Sequence, residues 1–340
     1  MQDFPHLHHW VQNTLGRSNA RVERELSGGN TNVTCLVSTD QGPMVLRTPP
    51  ENTISPKAHR GVERESIVMS ALHGYVAVPQ VLAWCGDKDI IGRPFVLVEH
   101  IDGLSITDTL PPAYAGAEDG TKAVNRLGDQ LIDQLAAIAT APWRELGLDS
   151  IGRPDNFLSR QIERWLDVRQ QAPVRDISQI REVGQWLLSN LPTGSPSGVV
   201  HGDFHLDNTL CSTQQPDLLA VIDWEMATLG DPLTDLGLFL MFWGPRKLEP
   251  PGFAHVQAVT RIEGISSRQA LAERWSRASG IRIDQLDYYL CFAFWRLAAI
   301  VEGAYELYAR GIVDTPYARG LEYDVPALLQ EAAMAARGDW

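Results

Sequence analysis

The chain contains no apolar run that approaches the roughly 20 residues needed to span a bilayer. Its longest candidate, Leu236 to Trp243, is far too short. Positive charge is also scarce. Lys and Arg total 29 against 42 Asp and Glu, a formal net charge of -13, which argues against a surface built for nucleic acid or an anionic membrane because phosphates would be repelled. Cysteine is limited to Cys35, Cys85, Cys211 and Cys291, scattered with no Cys-x-x-Cys spacing. That pattern excludes a disulfide framework and predicts reduced, buried thiols in a reducing, cytoplasmic compartment. The segment from Met1 to Asn13 lacks the apolar stretch of a secretory signal, and its His6, His8 and His9 read as solvated surface rather than a metal site. Low-complexity tracts are absent, so a folded chain is expected, and 340 residues leave room for two lobes around a cleft.

The first hundred residues read mainly as strands. Arg21 to Leu26, Val33 to Ser38 and Pro43 to Arg47 are separated by Gly28-Gly29 and Asp40-Gln41-Gly42, and Val78 to Cys85 and Pro94 to His100 follow. One helix interrupts them, with Val62, Ile67, Val68, Ala71 and Leu72 near helical spacing and Gly74 as its stop. Gly103, after Ile101-Asp102, suits a crossover between lobes. From about residue 120 the pattern becomes helical, opening with the stripe Leu127, Leu131, Leu135 and Ile138. Two short strands, Gly198 to Val200 and Leu218 to Ile222, lie among the helices, and Asp231-Pro232 reads as an N-cap and first turn of an apolar helix. The fold class is therefore α+β.

Chemistry concentrates in His201-Gly202-Asp203-Phe204-His205-Leu206-Asp207-Asn208, where an aspartate precedes an asparagine by five positions and follows a histidine by two. This is the spacing of a kinase catalytic loop. Phosphoryl transfer needs a carboxylate to position the attacking hydroxyl and take its proton, and an amide oxygen nearby to hold magnesium, roles that Asp203 and Asn208 suit. A second metal carboxylate is expected at the end of a later strand, where Leu218 to Ile222 terminates in Asp223. Upstream, Ser27, Gly28, Gly29 and Asn30 sit between two strands, where small residues let backbone N–H groups approach nucleotide phosphates, although a plain hairpin turn would look the same. Arg47 ends the third strand, and Glu65 on the following helix is its expected partner; Glu63 is the neighbouring glutamate.

Together these segments resemble the aminoglycoside phosphotransferase superfamily of kinase-like enzymes. Within it, Val45-Leu46-Arg47 with Pro49-Pro50, Ile91-Gly92-Arg93-Pro94-Phe95, His201-Gly202-Asp203-Phe204, Asp223-Trp224-Glu225 and Thr228-Leu229-Gly230-Asp231-Pro232-Leu233 resemble the kinase-like domain fused to some acyl-CoA dehydrogenases. The resemblance implies a protein-kinase-like two-lobed fold, with a small antiparallel-sheet lobe over residues 1–98 and a larger helical lobe over 99–340. It also implies ATP and Mg2+ as cofactors, and a hinge near Val96 to His100, including Glu99, that binds adenine. Arginine at position 47 is usual in that branch, Asp235 is expected to brace the catalytic loop, and His201 to support it through its ring.

Relatives differ in acceptor, so fold does not choose it. The leading reading is an ATP-dependent kinase for the hydroxyl of a small molecule, a hydroxylated acyl thioester or related metabolite. An antibiotic kinase is the alternative, for which Glu302, Glu306, Asp284 and Asp287 are candidate acidic contacts; Trp243, Trp275, Trp295, Tyr288, Tyr289 and Tyr305 are either acceptor-pocket lining or core. A protein kinase would need a longer activation segment after Asp223. A catalytically silent nucleotide-binding module is disfavoured by the presence together of Asp203, Asn208 and Asp223.

Overall fold

The structure, a computed structural model, describes residues 4–340 apart from 27–31, 52–55, 116–119, 172, 195 and 255. Strands β1 (Arg21–Glu25), β2 (Val33–Ser38), β3 (Met44–Thr48), β4 (Val81–Cys85) and β5 (Phe95–Glu99) make one antiparallel sheet in the order β1-β2-β3-β5-β4. Helix α1 (Pro5–Leu15) covers one face and α2 (Pro56–Leu72) the other. The two-residue period of β3 sorts its side chains between them. Met44 and Leu46 pack with Leu7 and Val11 of α1, while Val45 joins the cluster of Val62, Val68, Met69 and Leu72 from α2. Arg47, two residues after Val45, therefore projects toward α2.

Two local expectations are corrected. Residues 5–15 form a second helix where one interrupting helix was expected in the first hundred residues, because its fully buried side is only Leu7 and Val11. Ile67, expected in the apolar stripe of α2, is 40% exposed, and Met69 occupies the buried position instead. The helix also starts earlier than its apolar residues indicate, at Pro56.

Short helices α3 (Lys88–Ile91) and α4 (Pro112–Ala115) precede α5 (Gly120–Thr140), which buries Leu127, Leu131, Leu135 and Ile138 as its stripe requires. At the crossover, a Cβ on Gly103 would lie 2.9 Å from the Cys211 carbonyl oxygen, so close backbone approach is what demands glycine there. Helices α6 (Phe157–Gln170) and α7 (Ser178–Ser189) lead into β6 (Gly198–Val200), β7 (Thr209–Cys211), β8 (Leu218–Val221) and β9 (Thr228–Gly230), paired β6 with β9 and β7 with β8. Helices α8 (Leu233–Phe242), α9 (Arg268–Ser279), α10 (Leu286–Ala309) and α11 (Pro316–Ala335) complete the larger part.

Asp231 stands one residue earlier than an N-cap of α8 would. Its Oδ1 still accepts the Leu233 N–H at 3.0 Å, and its Oδ2 accepts the Tyr289 hydroxyl at 2.6 Å, tying α10 to the start of α8. Trp243, Trp275, Trp295, Tyr288 and Tyr289 are buried in the helical core, and all four cysteines are buried and free. Among the described residues no helix is long and apolar enough to cross a membrane.

Candidate active site

The strand pairing delivers the polar residues to one place. The β7–β8 register sets Thr209 opposite Val221, so the residues just outside the ladder, Asn208 and Ile222, also meet, with the Ile222 N–H donating to Asn208 O at 2.9 Å. Asp223 is the next residue. It adopts φ +66, a left-handed conformation costly for a side chain with a Cβ, which turns the chain sharply at the end of the strand.

The loop from β6 to β7 is held by its backbone. Asp235, buried on α8, accepts the His201 N–H at 2.6 Å through Oδ2 and the Gly202 N–H at 2.9 Å through Oδ1. Burial pushes its carboxyl up to about 6, against the pull of those two donors. Gly202 has φ +87, and a Cβ there would lie 2.8 Å from the Met226 carbonyl oxygen. His201 is fully buried; its Nδ1 accepts the Asp203 N–H at 3.2 Å while its Nε2 faces Ile222 O at 3.0 Å. This pattern assigns the neutral Nε2–H tautomer, and burial lowers the ring's proton affinity accordingly.

Asp203 leaves this loop with its side chain 44% exposed. Desolvation raises its proton affinity, but the His205 ring, with Nε2 3.4 Å from Oδ1, together with His201 and Arg296 outweighs that and brings the carboxyl down to about 2. The Asn208 Nδ2 group donates to Asp203 O at 2.8 Å and to Asp203 Oδ2 at 2.9 Å. With those protons committed, the amide oxygen is the Asn208 atom suited to a cation.

Arg47 reaches across the cleft. Its Nε donates to Glu65 Oε2 at 2.9 Å and its Nη2 to Asp223 Oδ1 at 3.0 Å. Glu65 is buried, and desolvation pushes its carboxyl up to about 7 despite the guanidinium beside it. Glu63 is exposed. The structure thus forms two polar sets, Arg47 with Glu65 and Asp223, and Asn208 with Asp203, joined through the backbone hydrogen bond between Ile222 and Asn208. Ser27, Gly28, Gly29 and Asn30 lie outside the described residues. Glu99 ends β5 with its N–H donating to Gln80 O at 2.9 Å and its carboxylate accepting the Gln80 N–H at 2.8 Å, so both groups are engaged within the sheet lobe.

Two polar residues escaped sequence reasoning. Asn32 is buried and its Nδ2 donates to Glu225 Oε2 at 2.6 Å, joining the strand after the small-residue loop to the segment after Asp223. Arg296 on α10 donates from Nη1 to Gly202 O at 3.1 Å. The signal for it was present, since it is the sole charged residue between Tyr288 and Val301.

A cavity of about 500 Å3 opens between α6, α7 and α10, lined by Arg169, Arg175, Arg181, Ile177, Glu302 and Glu306 among others. Both glutamates are neutralised in place, Glu302 by Arg175 at 2.7 Å and Glu306 by Arg169 at 3.0 Å. The Arg175 guanidinium also lies 3.7 Å from the Tyr305 ring centroid. Asp284 and Asp287 are elsewhere, paired with Arg282 and with the Trp340 indole N–H.

A profile of the phosphotransferase enzyme family matches residues 22–271. Acyl-CoA dehydrogenase family member 10 of Mus musculus is 33% identical over 282 residues, a match covering 82% of this chain and 26% of that protein, so the chain spans about a quarter of that relative's length. Among solved structures, a Ralstonia eutropha JMP134 protein provisionally called an aminoglycoside phosphotransferase superposes with a TM-score of 0.81 at 26% identity, covering 98% of each chain. The GDP complex of aminoglycoside 2'-phosphotransferase-IIIa, at 19% identity, has a TM-score of 0.61 over 98% of this chain and 99% of that one, a likeness of fold. The antiparallel sheet and the helices that follow it thus have the kinase-like fold, and the chain belongs to the phosphotransferase enzyme family.

Proposed function

We propose that the chain transfers the γ-phosphoryl group of ATP to the hydroxyl of a small hydroxylated metabolite, an acyl thioester or related hydroxy acid. The observation that carries this reading is the pair of polar sets that the β7–β8 ladder sets side by side: Asn208 tied to Asp203 at 2.9 Å, and Arg47 bridging Glu65 and Asp223. Asp203 orients the acceptor hydroxyl; its oxygen bonds to the γ-phosphorus as the bond to the β,γ-bridging oxygen breaks, ADP leaves, and the hydroxyl proton passes to Asp203. Its low proton affinity keeps the carboxylate ionised at neutral pH and makes positioning its larger contribution.

The residues fit magnesium. The Asn208 amide oxygen and the Asp223 oxygen not bonded to Arg47 would hold it, and it would screen the phosphate charge when bound. Among the described residues no group of three His, Cys, Asp or Glu could cage a metal, in keeping with an ion that takes its other ligands from phosphates and water. In this reading Arg47 turns toward phosphate oxygens, Ser27 to Asn30 supply backbone N–H groups to them, and the Val96 to His100 hinge meets the base; Glu99 would contribute there through atoms other than its N–H. In this reading residues 1–98 form the nucleotide lobe and 99–340 the catalytic and acceptor lobe.

The cavity between α6, α7 and α10 is lined by none of Asp203, Asn208 or Asp223, so in this reading it takes the body of the acceptor and not its reacting hydroxyl. Its glutamates already carry arginine partners, and Arg181 adds a further cation, so it is poorly suited to a polycationic sugar. The kinship with a protein called an acyl-CoA dehydrogenase supports an acyl-derived acceptor. Steady-state ATP turnover is to be measured with kanamycin-type aminoglycosides against hydroxyacyl-CoA esters, hydroxy acids and amino alcohols. Preference for a hydroxyacyl compound is expected; efficient aminoglycoside phosphorylation with no turnover of the others would replace this reading with the antibiotic-kinase one.

A further inference from the structure

The peptide unit that enters Asp203 is pinned at both ends. Its N–H, belonging to Asp203, donates to His201 Nδ1 at 3.2 Å, and its carbonyl, belonging to Gly202, accepts from Arg296 Nη1 at 3.1 Å. The two preceding amides are held by Asp235. Rotation of the Gly202–Asp203 peptide would swing the Asp203 side chain, and glycine at 202 provides little steric resistance of its own to that rotation. Of the groups holding this peptide unit, His201 belongs to the loop itself. Arg296 is the one supplied by a distant helix, 94 residues along the chain.

Its setting is unusual for a bracing residue. The Arg296 Nε is buried with no hydrogen-bond partner, and Asp203 and Asp235 are the carboxylates that favour its charge, while Arg164 on α6 opposes it. The residue as a whole is half-buried, so the cost falls on that one N–H, shut away from water and unpaired. The same helix continues to Glu302, six residues or about 9 Å further on, and to Glu306, both of which line the α6–α7–α10 cavity.

Resting on the kinase reading above, we propose that Arg296 is a positioning residue for phosphoryl transfer. It holds the Gly202–Asp203 peptide so that the catalytic carboxylate faces the acceptor, and it links that carboxylate to the helix lining the acceptor pocket. A charge at this place that served stability alone would be replaceable by an apolar side chain without effect on the loop.

The test compares Arg296→Gln, Arg296→Met and Arg296→Lys with the unaltered chain. Hydrogen–deuterium exchange over residues 201–208 needs no acceptor and reads the loop directly; the expected result is exchange faster by roughly 10-fold in Gln and Met, partly restored in Lys, with exchange in the β1–β5 sheet unchanged. Turnover with the best acceptor of the panel is expected to fall by about 30-fold or more in kcat in Gln and Met, with the KM for ATP within about twofold and partial recovery in Lys. Unchanged loop exchange in Gln and Met overturns the proposal, as does loss spread equally over loop and sheet, which would make Arg296 a general stability residue. Asp203→Asn measured alongside separates the two levels. If the unaltered chain turns over no acceptor of the panel, the kinase reading fails; if Asp203→Asn turns over normally, Asp203 is not the catalytic carboxylate; if it is inactive while Arg296→Gln retains full kcat, only the Arg296 role fails.

Discussion

Removing Arg47 exposes how the cleft is balanced. Glu65 is buried, and Arg47 is the cation bonded to it at 2.9 Å. In Arg47→Ala an ionised Glu65 would remain in a dry site with no partner, a change that costs about 3–5 kcal/mol when a buried pair is broken from one side. Protonation offers relief. Burial already pushes the Glu65 carboxyl up to about 7, and without the guanidinium it rises further. The sign follows from linkage: an acid whose folded value lies above its unfolded one contributes stability that is full below the unfolded value and is lost as pH rises through the folded value. The variant should therefore lose about 1–3 kcal/mol at pH 8, below the unpaired-charge limit because Glu65 takes up a proton, and distinctly less at pH 5.5, where the folded form of both proteins holds the proton. Urea denaturation of both proteins at the two pH values, with slopes compared to verify a common two-state transition, measures this. The double variant Arg47→Ala/Glu65→Leu should recover much of the loss. A deficit below about 1 kcal/mol at pH 8, or one equal at both pH values, would refute the reasoning.

Asp223→Ala should weaken magnesium-dependent ATP binding and turnover together, since one carboxylate of the site is removed; a magnesium titration of ATP binding unchanged from the parent would count against a metal role. Gly202→Ala places a Cβ 2.8 Å from the Met226 carbonyl oxygen at φ +87, so a loss of about 1–3 kcal/mol in unfolding free energy is expected, with turnover reduced as well. A fully stable, fully active alanine variant would show that the loop has an alternative path.

The features legible in sequence were those whose partners lie close in the chain. Asp203 and Asn208 are five residues apart, and the apolar run before Asp223 announces a strand whose end must carry a polar group, so spacing alone suggested a common site. The α5 stripe was readable because four apolar residues share one face. Arg47 and Glu65 needed the kinase pattern of a strand cation facing a helix glutamate, since nothing in a strand arginine or a helix glutamate alone reveals that one will be buried against the other. Contacts between remote segments were illegible: Asn32 with Glu225 is 193 residues apart and Arg296 with Gly202 is 94. Helix α1 escaped because only its packing against β3 and β5 gives Leu7 and Val11 something to bury against. Ile67 failed for a different reason, as an isolated apolar residue one position off the buried stripe is indistinguishable by composition from one on it.

In the proposed function Asp203 is the residue that positions and deprotonates the acceptor. Asp203→Asn keeps the side-chain volume and an oxygen able to accept from Asn208, so the fold and the ATP·Mg site should survive while phosphoryl transfer falls by at least about 100-fold. Isothermal titration with ATP and magnesium, paired with single-turnover transfer to the best acceptor of the panel, gives both quantities on the same protein. Intact nucleotide binding with transfer reduced to that extent is the predicted result; near-normal transfer by Asp203→Asn would contradict the mechanism.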